Sequence, residues 1–129
     1  MVIALAYNRQ LKRLSRQSIM LPPPGPHQCR VKIQASAVHP ADLLSTRDQY
    51  PHTSLIAGND AVGSILASSG KFKTGQQVVV LQSDIGGVWV EAQNIGPHSL
   101  YLIVPPLPVG LAAGIRAHPG TAYQLLDNY

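Results

Sequence analysis

Apolar and polar residues follow one another along this chain in short runs that proline and glycine interrupt. Val2 to Tyr7 is apolar enough for a first strand, and from Cys29 to Ala37 apolar and polar side chains alternate in part, as on a half-buried strand. Further apolar runs predict four more strands, over 60–67, 78–81, 88–92 and 100–104. Six short strands separated by turns are typical of a small barrel or sandwich, so the pattern predicts a mainly β fold.

Helical patterns occur at only three places in the chain. A short helix is predicted over 41–46, where Pro40 stands at the start and Asp42 lies near the positive end. The tail has two more helical runs, 109–117 and 121–126. Gly63 interrupts the predicted strand 60–67, which indicates a bulge or a close approach of two backbones.

The composition supports a single small domain that folds without disulfide bonds. The chain has 129 residues, of which 45% are hydrophobic and 12% charged, and such low charge argues against a helical bundle or coiled coil. Cys29 is the sole cysteine, so an intrachain disulfide and a cysteine-based zinc cage are excluded. No window holds 18 consecutive apolar residues, so no membrane span is expected.

The positive charge is concentrated in the first half of the chain. Residues 1–65 carry seven basic and three acidic side chains, and residues 66–129 carry three of each. The cluster Arg9, Lys12, Arg13 and Arg16 fits an anion-binding patch, a remnant of a mitochondrial presequence, or a solvated loop or edge strand. We favour the last interpretation and expect no nucleic-acid partner, because nucleic-acid binding would also call for interleaved aromatic residues.

The residues alone do not identify a reaction. The five histidines show no H-x-x-x-H or H-x-E spacing and each of them stands beside proline, so no metal site is expected. The chain also has no G-x-S-x-G, P-loop or G-x-G-x-x-G motif. The glycine-bounded run 58–63 leads into a strand rather than a helix, which removes the helix-dipole argument for a phosphate site.

A family resemblance says more. Six motifs occur in one order along the chain: V-H-P-A-D (38–42), D-Q-Y-P (48–51), G-N-D-A-V-G (58–63), F-K-T-G-Q-Q-V-V (72–79), G-V-W (87–89) and P-G-T-A-Y-Q-L-L (119–126). The order resembles the N-terminal part of medium-chain dehydrogenase/reductases and is most similar to the mitochondrial trans-2-enoyl-thioester reductases. The resemblance implies that residues 1–129 form a GroES-like, partly open β-barrel. Its closing helices would lead toward a Rossmann domain that this sequence does not contain.

The resemblance also implies roles for particular residues. Tyr50 matches the tyrosine that donates a proton to the substrate. Trp89 matches the tryptophan of the family's G-T-W, either a substrate contact or a packing residue of the barrel. His39 and His118 replace two asparagines of the family pattern, and together with Thr121 they would line the cofactor side. Asn59 is a poor metal ligand, which favours the branch of the superfamily without zinc.

The function implied is the substrate-side domain of an NADPH-dependent trans-2-enoyl-thioester reductase of fatty acid synthesis. Without a cofactor domain the chain would be inactive alone and would not hold NADPH stably. Its partner would be an acyl thioester, carried by coenzyme A or by acyl carrier protein, in mitochondria by resemblance and otherwise in the cytoplasm. The alternative is a non-catalytic homologue that serves as a binding or interaction module, with an exposed apolar cleft that joins two copies.

Overall fold

Strands make up most of the regular structure in the computed structural model of the chain, which describes residues 1–46, 56–80, 86–115 and 118–127. The strands are β1 (Val2–Asn8), β2 (Arg13–Ile19), β3 (Cys29–Ser36), β4 (Ala61–Ala67), β5 (Gln77–Val80), β6 (Ala92–Ile95) and β7 (Leu100–Leu102). The helices are α1 (Pro40–Thr46), α2 (Val109–Ala112) and α3 (His118–Asp127), with one 3₁₀ turn at Pro97–Ser99. None of the described helices is both long and apolar enough to cross a bilayer.

The strands form two antiparallel sheets. Five of them follow the order β6-β3-β4-β5-β7, and β1 pairs with β2 as a separate hairpin. The described strands do not close into a full barrel. The predicted mainly β and partly open fold with short helices is therefore confirmed.

The hairpin joins the larger sheet through the segment 88–91. The Leu5 amide donates to the Trp89 carbonyl at 2.8 Å, and the Glu91 amide donates to the Ile3 carbonyl at 2.9 Å. On the other side of the segment, the Ile33 amide donates to the Glu91 carbonyl at 2.9 Å. Trp89 is thus held on a segment that lies between β1 and β3.

Apolar side chains fill both faces of the larger sheet. On β4, Ala61 and Ile65 point into the main core, whereas Val62 points to the opposite face and packs with Ala112 of α2. The main core is formed by ten buried residues: Cys29, Val31, Ala61, Ile65, Phe72, Val78, Val80, Val88, Ile95 and Leu100. Burial on both faces fixes the register of β4, since a shift by one residue would exchange its two faces.

Gly63 lies where β3 and β4 come too close for a side chain. A Cβ atom at this position would be 2.5 Å from the Lys32 carbonyl oxygen. The pairing register of the two strands also shifts between Ile33 and Ala35. The predicted irregularity at Gly63 is therefore confirmed.

The pattern of apolar and polar residues in the sequence did not predict β2, and it predicted β6 a few residues too early. Strand β2, of sequence R-L-S-R-Q-S-I, has no buried residue, so it lacks the alternation that marks a half-buried strand. Val88, Val90 and Ala92 of the predicted strand 88–92 are buried, but this run forms only an isolated bridge with β1 before the regular strand begins at Ala92. This run is apolar because it lies between β1 and β3, although it does not form a regular strand itself.

The structure also decides between interpretations of the N-terminal segment. The basic cluster lies on the turn 9–12 and on β2, an exposed edge strand, which agrees with the edge-strand interpretation and also leaves the cluster accessible to an anionic partner. Ala4, Ala6 and Tyr7 of β1 are buried, so residues 2–19 form part of the folded domain. The presequence interpretation of this segment is therefore wrong. In the tail, regular α-helix covers 109–112, and residues 113–115 of the predicted run form a turn.

Candidate functional site

The first polar contacts of the candidate site are made where α1 begins. Pro40 occupies the first helical position, and the Asp42 side chain reaches back so that its Oδ2 accepts a hydrogen bond from the His39 amide at 2.7 Å. This is one half of a capping box, in which a residue in the first turn satisfies the backbone donor at the helix start. The cap fixes the entry of the chain into α1 and with it the direction of the His39 side chain.

Asn59 and Asp60, which precede β4, complete a buried polar cluster. The Nε2 atom of His39 lies 3.1 Å from Asp60 Oδ2, and Asn59 Nδ2 donates to Asp42 Oδ1 at 2.6 Å. His39 is 9% exposed, Asp42 2% and Asp60 1%. Buried carboxylates are costly unless they accept hydrogen bonds, and here each accepts at least one from its neighbours.

Trp89 joins this cluster through a serine. Its indole Nε1 donates to Ser36 Oγ at 2.8 Å, and Ser36 Oγ donates to the Asp60 carbonyl at 2.5 Å. The Ala37 amide donates to the same Asp60 carbonyl at 3.2 Å. A continuous set of contacts therefore runs from the Trp89 indole through Ser36 and Asp60 to the His39 imidazole.

The indole of Trp89 packs directly on Gly58. A Cβ atom on Gly58 would lie 2.2 Å from Trp89 Cδ1, and the backbone there has a φ of +93°. Both facts require glycine, because a side chain would collide with the ring and would also strain the backbone. The backbones are paired as well, since the Trp89 amide donates to the Ala57 carbonyl at 2.8 Å.

The chemistry that this cluster supports is that of an oriented imidazole beside an apolar surface. With Asp60 ionised, the carboxylate accepts from His39 Nε2–H, which fixes the ring as its Nε2 tautomer when the imidazole is neutral. The indole is half-buried and offers a large apolar face. The residues that the structure describes contain no group of three histidine, cysteine or acidic side chains able to hold a metal ion.

The predicted site residues have different outcomes in the structure. His39 and Trp89 are brought into one hydrogen-bonded network. His118 and Thr121 belong to the first turn of α3, and the structure does not describe their side chains. Tyr50, the predicted proton donor, lies outside the described residues.

The site also contains residues that were not predicted as site residues: Ser36, Asp42, Asn59 and Asp60. The signal for Asp42 was its position three residues after the residue that caps α1. For Asn59 and Asp60 the signal was their place inside a glycine-bounded run. The sequence around Ser36 carries no such signal, because a serine at the end of a strand is common. Its contacts with Asp60 and Trp89 come from distant segments of the chain.

Comparison with known proteins identifies the family. The family described as alcohol dehydrogenase GroES-like domain matches residues 25–113, more than half of the chain. The chain belongs to this family. The matched region contains every member of the hydrogen-bonded network, from Ser36 to Trp89.

The relatives of this GroES-like domain include enoyl reductases. The mitochondrial enoyl-acyl-carrier-protein reductase of Caenorhabditis elegans is 27% identical over 98% of this chain and 39% of the relative, and that of Xenopus tropicalis is 25% identical over 95% and 37%. The solved complex of Etr1p with NADP and crotonyl-CoA matches with a TM-score of 0.81 and 18% identity. The match covers 99% of this chain and 43% of the Etr1p chain. The resemblance to these reductases and their superfamily is thereby confirmed. The chain spans about two fifths of the length of these relatives.

Proposed function

We propose that residues 1–129 are the substrate-side domain of an NADPH-dependent trans-2-enoyl-thioester reductase of fatty acid synthesis. The observation that carries the proposal is the network from Trp89 through Ser36 and Asp60 to His39, since it joins residues of three separate motifs. Two enoyl reductases are similar to nearly the whole chain, which supports the same class of reaction.

The proposed reaction reduces a carbon–carbon double bond conjugated to a thioester. NADPH, when bound, supplies the hydride that adds to the β-carbon. In this proposal Tyr50 donates a proton to the α-carbon, a role that a phenol with a pKa near 10 fulfils when it is placed beside the developing enolate. Trp89 packs against the acyl chain, and its bond to Ser36 holds the indole in one orientation.

The described residues fit one edge of a dinucleotide rather than the whole of it. The ring of His39 is held by Asp60 and so offers a fixed polar edge. The sequence has no glycine-rich loop that leads into a helix, which is the usual site for a pyrophosphate. In the proposal His39, His118 and Thr121 lie on the cofactor side, and a second domain binds most of the dinucleotide. The chain by itself then binds NADPH only weakly and does not turn over.

The first test uses the single tryptophan of the chain as a probe. Titration with crotonyl-pantetheine is expected to change the Trp89 emission saturably. A Trp89→Phe variant is the control for signals that do not come from the site, and butanol is the control for nonspecific apolar contact. Absence of a saturable change would contradict the proposal. In the same samples NADPH oxidation is expected to be undetectable, and clear turnover would refute the claim that the chain is inactive alone.

The second test concerns Tyr50 and uses an enzyme in which this chain is fused to the cofactor domain of a related reductase. Tyr50→Phe is expected to lower kcat by about a hundredfold or more, because a general acid contributes this much, and to leave KM nearly unchanged. Tyr101→Phe is the matched control, since Tyr101 is 62% exposed on β7. Equal activity of both variants would remove Tyr50 from the mechanism.

A second candidate function is a non-catalytic module that associates with a second copy of itself. The observation in its favour is the exposed apolar surface of the tail, where Leu111 is 65% exposed, Tyr123 68% and Leu126 79%. Large exposed apolar patches are typical of interaction surfaces. Sedimentation velocity would separate the candidates: a dimer that Leu126→Ser converts to a monomer, together with no thioester binding, favours the module.

The names of the relatives also suggest a mitochondrial location, which we include in the proposal. The test is fractionation of cells that express the natural gene with a C-terminal tag. Co-purification with matrix markers, protected from added protease, is the expected result. A purely cytoplasmic signal would contradict this part of the proposal without affecting the chemistry.

A further inference from the structure

The β1–β2 hairpin carries four positive charges, which equals the net charge of +4 of the whole chain. Residues 1–20 contain four basic side chains and no acidic one, and the rest of the chain contains six basic and six acidic side chains. All four basic side chains are exposed, on the turn and on β2: Arg9, Lys12, Arg13 and Arg16. We call residues 2–19 with these four cations the basic hairpin.

Three of the four cations have no internal ion pair among the residues that the structure describes. Within the described part of the chain, no carboxylate lies within ion-pair distance of Lys12, Arg13 or Arg16. The Glu91 carboxylate accepts a hydrogen bond from the Ile3 amide at 2.9 Å, and Ile3 pairs with Ser18. Glu91 therefore lies near the end of the hairpin that is away from the turn, so this carboxylate does not neutralise Lys12 or Arg13.

The basic hairpin is firmly attached to the domain. Ala4 and Ala6 of β1 are buried and form bridges to Val90 and Ile56. The turn is fixed too, because Asn8 Oδ1 accepts a hydrogen bond from the Leu11 amide at 2.9 Å. A fixed hairpin presents its charges at defined positions, which lowers the entropy lost on binding.

Strand β2 lies close to the candidate site. Arg16 pairs directly with Leu5, and the Leu5 amide donates to the Trp89 carbonyl at 2.8 Å. Neighbouring strands are about 4.8 Å apart, so two such spacings place β2 about 10 Å from the Trp89 backbone. A macromolecule bound on β2 would sit beside the site without covering it.

We infer that the basic hairpin is a docking surface for an acidic acyl carrier protein, which presents its acyl thioester to the site beside Trp89. The inference rests on the proposed function and adds to it the surface that receives the carrier. The positive charge of the basic hairpin is complementary to that of an acidic carrier.

The side chains around the cations favour a protein over a nucleic acid. The stretch 9–19 contains no aromatic residue, so it offers no platform on which bases could stack. It does contain leucines that a protein helix can cover, since Leu11 is 57% and Leu14 37% exposed, and Leu5 opposite Arg16 is 40% exposed. Basic residues interspersed with leucine match a helix that carries both acidic and apolar side chains.

The experiment compares two charge reversals of equal size in the full 129-residue chain. Arg13→Glu with Arg16→Glu changes the basic hairpin. Lys71→Glu with Lys73→Glu changes two exposed lysines in the turn after β4, about 20 Å along that strand from Asp60. Binding of crotonyl-loaded carrier protein and of the carrier without its prosthetic arm is measured by fluorescence anisotropy at low and high salt. Thermal melts verify that both variants fold.

The hairpin reversal is expected to weaken binding of both forms of the carrier by at least about tenfold, whereas the lysine reversal changes it by less than about threefold. Equal losses in the two variants, or no loss in either, would overturn the inference. Tighter hairpin-dependent binding to a single-stranded DNA or to anionic vesicles than to the carrier would overturn it as well. Crotonyl-pantetheine is titrated in parallel: if it fails to bind while the bare carrier binds through the hairpin, the proposed function fails and the docking surface stands.

Discussion

The Trp89 indole lies on Gly58 so closely that the ring occupies the space of a side chain at that position. Gly58 is followed by Asn59 and Asp60, and Asp60 contacts His39. The contact between the ring and the glycine therefore places the polar cluster immediately beside an apolar face. This combination of an oriented imidazole and a flat apolar surface is the property on which the proposed thioester site depends.

The contact between His39 and Asp60 is expected to couple the two residues energetically. A double-mutant cycle with His39→Ala and Asp60→Ala should give a coupling free energy of about 1–3 kcal/mol, because each single change leaves a buried partner without its hydrogen bond. The measurement is urea unfolding of the four proteins followed by circular dichroism. Additivity within about 0.5 kcal/mol would show that the two side chains do not interact.

Asp42 is expected to be important for stability through both of its oxygens. Asp42→Ala removes the acceptors of the His39 amide and of Asn59 Nδ2, and should lower the free energy of unfolding by about 2–4 kcal/mol. Asp42→Asn should cost less, since rotation of the Asn59 amide can restore the pair. Asp127→Ala, a change at an exposed aspartate, is the control and should stay within about 0.5 kcal/mol. Equal losses in the two Asp42 variants would contradict this account.

The sequence predicts this site only in part, for physical reasons. The close approach at Gly63 was predicted because it depends on local backbone geometry, whereas for Asp42 the sequence indicated only a favourable place near the start of the helix and not the cap. The link from Trp89 to Ser36 depends on the placement of segments 53 residues apart, which no local pattern encodes. For the same reason β2 was missed: its pairing with β1, and not its own periodicity, makes it a strand.

Ser36 is expected to fix the orientation of the Trp89 indole. Ser36→Ala leaves the indole N–H without its acceptor and should reduce the free energy of unfolding by about 1–2 kcal/mol. In a Trp89→Phe background the same change should cost clearly less, because no N–H is left to satisfy. Unfolding by urea, followed by far-ultraviolet circular dichroism, measures both. The same loss in the two backgrounds would mean that Ser36 acts through the Asp60 carbonyl alone.

A methyl group on Gly58 is expected to push the Trp89 indole away from the polar cluster of the site. Gly58→Ala places a Cβ atom 2.2 Å from Trp89 Cδ1 at a residue whose φ is +93°, so the indole ring must move. We expect the free energy of unfolding to fall by about 2–4 kcal/mol and the Trp89 emission to shift. Gly70→Ala is the matched control, because Gly70 has a φ of +61° but no heavy atom within 4 Å of its Cβ position. The control isolates backbone strain, which should cost about 1–2 kcal/mol and leave the emission unchanged. Equal losses and unchanged spectra in both variants would show that the indole does not pack on Gly58.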